Sequence, residues 1–170
     1  MLNLEPRTTA RLGNMTDLDD IDVTLLRLMR ERPRTPVAEL ARLADVARGT
    51  AQAHIARLEA DGVITGYGPD VDAASIGYDV LAFVTLEIAQ GQGGSVVSHL
   101  RSIAEVLEVH AVTGRGDLHC RVLARSNEHL HEVIQRMLAT PGIARTETHL
   151  ALHAHLRRTE ADLVSEARRR

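Results

Sequence analysis

Residues 37–67, VAELARLADVARGTAQAHIARLEADGVITGY, constrain the fold more than any other stretch. Apolar residues recur there at helical spacing in two runs separated by Ala44-Asp45-Val46. Val37, Leu40 and Ala41 make the inner stripe of the first run; Ala51, Ile55 and Leu58 make that of the second. A turn this short forces two helices to meet steeply, which is the helix-turn-helix arrangement, whose second helix suits the major groove of DNA. Asp61-Gly62 reads as the C-terminal cap, and residues 63–67 as a short β element that would serve as a wing.

The flanking segments complete a helical front half. Residues 18–32 predict a helix capped by Asp17 or Asp19, with Asp20 and Asp22 placed to favour its positive end. Ile21, Leu25, Leu28 and Met29 form its buried stripe, and Pro33 ends it. Thr35-Pro36 reads as cap and first residue of the second helix, which runs to Leu43, and the third helix spans about 47–60. Residues 1–16 are polar and aperiodic, which predicts a disordered tail with Met15 as an alternative start. Residues 17–67 are thus the first domain and 68–78 a linker.

The back half, residues 79–156, alternates strands with helices. Strands are expected at 79–89, 106–113, 117–124 and 143–156, and helices at 95–103 and from the Ser126 cap to residue 139. The order βαββαβ is the ferredoxin-like arrangement, four antiparallel strands with both helices on one face. The fold class is therefore α+β, a winged helix-turn-helix domain followed by a ferredoxin-like domain. An open sheet face of this kind commonly pairs with another subunit. The polar tail, 157–170, ends in Arg168-Arg169-Arg170 and reads as a frayed helix.

Composition narrows the function classes. One Phe, two Tyr and no Trp among 170 residues leave an aliphatic core. All basic residues are Arg, and the net charge of -3 excludes a chain that binds nucleic acid through its overall charge. Any DNA contact must be a local patch multiplied by oligomerisation. The single Cys120 cannot form an intramolecular disulfide and fits a reducing cytoplasm. The first residues lack the apolar stretch of a secretory signal, and no apolar run reaches the roughly 20 residues of a membrane helix. No cofactor motif occurs.

Several motifs in order carry a family resemblance. LDDIDVTLLRLM, RTPVAELARLADVARGTAQAHIARLEADGVITGY, VTGRGDLHCRVLA and PGIARTETHLAL resemble successive signatures of the leucine-responsive regulatory protein/AsnC ("feast-famine") family of prokaryotic transcription regulators. The resemblance covers residues 18–152. It implies a non-enzymatic, cytoplasmic homodimer assembling to an octamer, binding double-stranded promoter DNA and answering to a small effector, an amino acid or relative.

The third helix departs from that family. Its usual capping Ser is Ala47 and its usual Arg before the Ile is His54. At about 100° per residue, the face opposite Ala51, Ile55 and Leu58 carries Gly49, Ala53 and Ala56, with Thr50, Gln52 and Arg57 at its margins and Arg48 at its start. The DNA-binding candidates are Arg48, Thr50, Gln52, His54 and Arg57. So smooth a centre predicts modest sequence preference, with affinity set by phosphate contacts and multivalency. Chance enrichment of Ala and Gly in this chain reads equally well. A pH-sensitive DNA contact at His54 is an open alternative.

The effector candidates are Thr113, Gly114, Arg115, Gly116 and Asp117, matching the family's Gly-x-x-Asp turn, with Thr146 and Thr148 from its Thr-x-Thr pattern. Glycine-exposed N–H groups suit a carboxylate and Asp117 an ammonium; a plain tight hairpin would show the same residues. Arg115 replaces a commonly acidic residue, which suggests a second carboxylate on the effector. In relatives the site lies between neighbouring dimers. Among nine histidines, His149, His153 and His155 share strand parity, and His153 and His155 are the pair spaced for a metal. A polar sheet face accounts for them as well, and no metal is expected. Two other readings stay open: an effector-binding oligomer whose DNA helix has decayed, and a siroheme-decarboxylase-like enzyme using His110, against which the intact Gly-x-x-Asp turn speaks.

Overall fold

A computed structural model describes residues 17–164. The expectations for residues 1–16, Met15 and Arg168 to Arg170 lie outside the described residues. The chain divides into two compact units, residues 69–155 and the remainder, so that residues 156–164 group with the N-terminal unit.

The N-terminal unit is built on α1 (Asp20–Glu31), α2 (Val37–Leu43) and α3 (Arg48–Ala60). Asp19 caps α1 in a reciprocal box: its carboxylate accepts from Asp22 N–H at 2.9 Å, and Asp22 accepts from Asp19 N–H at 3.1 Å. Leu25, Leu28, Leu40, Ala41, Ala51 and Ile55 form the core, with Ile21, Met29 and Ile64 packed against it. Pro36 caps α2 one residue later than expected. Between α2 and α3, Asp45 takes φ +54, a left-handed turn position that Asp tolerates better than most side chains. Ala47 caps α3 without any side-chain hydrogen bond. The tail is anchored too. Arg30 donates to Thr159 Oγ1 at 2.6 Å and pairs with Asp162 at 2.9 Å. Within the described part of the tail, Glu160–Leu163 form a short 3-10 turn; the rest of the expected frayed helix lies outside the described residues.

The expected wing strand at 63–67 does not form. Val63 and Ile64 N–H groups both donate to Leu58 O, which folds the chain back onto the end of α3. Ile64 is drawn into the core, and Tyr67 donates to Glu59 on α3. A strand needs a partner ladder, and the N–H groups of Val63 and Ile64 are used at the helix end instead.

The second unit is a four-stranded antiparallel sheet in the order β2-β3-β1-β4, made of β1 (Val80–Ile88), β2 (Val106–Ala111), β3 (Leu118–Ala124) and β4 (Ile143–Leu150). Helices α4 (Gly93–Arg101) and α5 (Asn127–Leu138) cover one face. Ala82, Val84 and Leu86 of β1 and Cys120 and Val122 of β3 meet Val96, Leu100, Val133 and Met137 beneath them. Ser126 Oγ caps α5 by accepting from His129 N–H at 3.1 Å. Buried His129 donates through Nε2 to Glu105 Oε1 at 3.2 Å, and Arg136 meets the other oxygen at 2.9 Å. Burial raises the Glu105 carboxyl, but Arg136 and further hydrogen bonds outweigh it and leave the group below its ordinary value.

The last strand stops at Leu150, short of the expected residue 156. Its register partner β1 begins at Val80, and beyond the Ala151 N–H bond to Leu81 O there is little strand left to pair with.

Candidate functional site

On α3, Arg48, Gly49, Thr50, Gln52, Ala53 and Ala56 are exposed, so the smooth outward face expected from the helical wheel is present on the molecule. His54 and Arg57 are not on it in the expected sense. His54 is turned toward α1, its side chain 19% exposed, with Nδ1 2.8 Å from Asp22 Oδ1 and 3.7 Å from Asp19. The Arg57 guanidinium also binds Asp22, and stands 4.0 Å from Asp61. A carboxylate accepts only, so His54 Nδ1 must carry the proton. The reason for the correction is Asp22 itself. It is wholly buried, and a buried carboxylate needs paired charge and donated hydrogens. Sequence reasoning credited Asp22 only with favouring the helix end; the Asp19-x-x-Asp22 capping spacing was the one available signal that it turns inward.

Asp19, Asp22 and His54 are also spaced to share a metal ion. Arg57 already occupies Asp22 there, and a cation would have to displace it. The expected histidine row is not built. His149 lies on β4 beside Glu147 at 3.3 Å, whereas His153 and His155 follow the strand, exposed, with rings 4.8 Å apart. His110, on β2, pairs with Glu108 at 3.2 Å in an exposed position.

The turn at 113–117, the expected effector turn, joins β2 to β3. Gly114 and Gly116 have φ of +98 and +80, left-handed values that glycine adopts without strain. Val112 N–H donates to Asp117 O at 3.1 Å, closing the hairpin, and Asp117 N–H donates to Leu86 O at 2.8 Å. The Asp117 carboxylate accepts from Ile88 N–H at 2.6 Å, where the β1–β4 register shifts. Thr113, Gly114 and Arg115 are exposed.

Beside this turn a hollow opens on the sheet face without helices, lined by Thr85, Glu87, Arg115, Gly116, Arg145 and Glu147. Facing cross-strand residues share a side of the sheet. Thr85 faces Glu147 and Glu87 faces Arg145, whereas Thr146 faces Leu86 and Thr148 faces Val84. The hollow and the two threonines are thus on opposite sides. Within one chain the seven expected effector residues do not converge. Thr146 Oγ1 is buried and has no hydrogen-bond partner among the described residues. Glu87, Arg145 and Glu147 were missed, since only the register shows that they border the turn.

Comparison with known proteins agrees with this architecture. Residues 18–65 match a winged helix-turn-helix DNA-binding model, and residues 81–161 match the Lrp/AsnC ligand binding domain. The transcriptional regulator AldR of Mycolicibacterium smegmatis is 32% identical, over 83% of this chain and 84% of its own. The chain belongs to the Lrp/AsnC family of transcription regulators. The structure of Escherichia coli AsnC superimposes on this Lrp/AsnC chain with a TM-score of 0.79 at 30% identity, covering 84% of this chain and 97% of AsnC. A feast or famine regulatory protein from M. tuberculosis, complexed with L-methionine, matches with a TM-score of 0.74 at 28% identity over 82% and 95%. Among the described residues, no helix is long and apolar enough to cross a membrane.

Proposed function

We propose that this chain is a cytoplasmic homo-oligomeric regulator that docks α3 on promoter DNA and reads an amino acid or related small molecule through its second unit. The observation that carries the DNA reading is the outward face of α3. Arg48, Thr50 and Gln52 are its handles, and the Gly49, Ala53 and Ala56 surface permits close approach with little base-edge readout. Specificity then depends on DNA shape and on how many copies bind together.

The effector site is proposed at the 113–117 turn with its hollow. Arg115 and Arg145 supply cationic groups, and Glu87, Glu147 and Asp117 acidic ones, which suits a zwitterion. Since Thr146 and Thr148 face the other side of the sheet, they serve the same ligand only when a neighbouring protomer contributes them. Effector binding and assembly, as dimer or octamer, are then coupled.

A gel-shift titration on the chain's own upstream DNA, with and without amino acids, tests the reading. Binding at low salt that weakens in Arg48→Gln and responds to an amino acid supports it. The uncapped start of α3 favours the decayed-helix alternative, which predicts no shift at low salt.

A further inference from the structure

We propose that Asp22 acts as an internal stand-in for a DNA phosphate, neutralising Arg57 and confining backbone docking by α3 to its N-terminal end at Arg48. The proposal rests on the DNA-docking reading of α3. It reverses the ordinary assumption that an arginine on such a helix is a phosphate contact.

Three observations carry it. Asp22 is wholly buried, so its charge is shielded from solvent and must be met from within the protein. Arg57 meets it directly, although its own side chain is 40% exposed and would otherwise project toward solvent. Three carboxylates bear on that guanidinium, Asp22 in contact, Asp61 at 4.0 Å and Asp19 more distantly. The one fixed positive charge of Arg57 stands against these three carboxylates, with His54 Nδ1 as a further donor to Asp22. A phosphate approaching the C-terminal half of α3 therefore meets a locally negative field, and drawing Arg57 away would strand a buried carboxylate. The opposite end of the helix differs. Arg48 is exposed and the first turn holds no acidic residue.

The consequence is a division of labour along one helix. The N-terminal end engages the backbone, and the C-terminal half is held against α1 by charges already satisfied. The number of phosphates neutralised per protomer is correspondingly small, which makes binding more dependent on how many protomers act together.

Salt dependence counts phosphate contacts and so decides the matter. The full-length protein is titrated onto a labelled mixed-sequence duplex by fluorescence anisotropy across a range of salt concentrations. Arg48→Gln is expected to flatten the log–log salt slope by about 0.9 per engaged protomer. Arg57→Gln is expected to lower the melting temperature yet leave the slope as in wild type. Asp22→Asn is expected to steepen the slope by a similar step and tighten binding at low salt. Should either single variant fail to fold, the double variant Asp22→Asn with Arg57→Gln removes both charges and is expected to keep the wild-type slope. A slope flattened by Arg57→Gln or by the double variant, or unchanged in Asp22→Asn, overturns the proposal while the docking reading stands. Wild-type protein without measurable DNA binding overturns both.

Discussion

A Cβ atom added to Gly116 would stand 2.3 Å from Cγ2 of Thr85 and 3.2 Å from the carbonyl oxygen of Leu86. The 113–117 turn is thus pressed against β1 so closely that its glycine serves two ends. It adopts φ +80, and it leaves room for the neighbouring strand. Gly116→Ala combines left-handed strain with overpacking, at a cost of about 2–4 kcal/mol. Urea denaturation of the variant measures it; a cost under about 0.5 kcal/mol would mean that the turn shifts freely.

Asp117 separates scaffold from site. Its carboxylate holds Ile88 N–H, a bond that Asn can keep through its amide oxygen and Ala cannot. Asp117→Ala should cost about 1 kcal/mol and Asp117→Asn less. If the carboxylate also pairs with an effector's ammonium, Asn loses the ligand-induced rise in melting temperature while keeping stability. An Asn variant with a full ligand response would assign Asp117 to the scaffold alone.

Arg115, where the family commonly has an acidic residue, carries the expectation of a second effector carboxylate, since the hollow as a whole sets Arg115 and Arg145 against Glu87 and Glu147. If Arg115 pairs with that carboxylate, acidic amino acids or keto acids raise the melting temperature more than neutral amino acids do. Arg115→Gln should erase the difference. Equal or better stabilisation by neutral amino acids, read in a thermal-shift series, removes the preference.

Acid should weaken the N-terminal unit through Asp22. Burial raises this carboxyl, but the bonds from His54, Asp19 N–H and Arg57 together draw it below its ordinary value. A folded value below the unfolded one gives stability that is present above about pH 4 and lost as pH falls through the folded value. Asp22→Asn should therefore be less stable than wild type at neutral pH, with the gap closing below about pH 4. A gap independent of pH, in paired denaturation curves, would exclude the charge as its source.

Cys120 reports on the second unit. It lies wholly buried in the core, and burial pushes its thiol up to about 11. A thiol so placed should resist a disulfide reagent at pH 8 in the native protein and react fully in denaturant. Fast native reaction would indicate that the α4–α5 layer opens readily.

Much of this molecule was legible in one dimension because the deciding interactions are local. The Asp19 and Ser126 caps, the Leu25 and Ile55 stripes and the glycines of the hairpin act within a few residues of themselves. Periodicity and turn chemistry report such things directly. The βαββαβ order of elements was legible for the same reason. The site was less legible. His54 and Arg57 looked like groups facing outward until Asp22, more than thirty residues earlier, supplied the buried charge that turns them inward.

By itself the sequence determined most of the elements, the two-part architecture and the hairpin at 113–117, since each is a matter of spacing along the chain. Only the tertiary structure decided where side chains end up when distant segments compete for them. It spent the N–H groups of Val63 and Ile64 on the end of α3, and ended β4 where its partner strand runs out. It also put Thr146 and Thr148 across the sheet from the hollow, because register assigns faces. These outcomes depend on which donors and acceptors remain unpaired once the core has closed, and that is a property of the assembled fold.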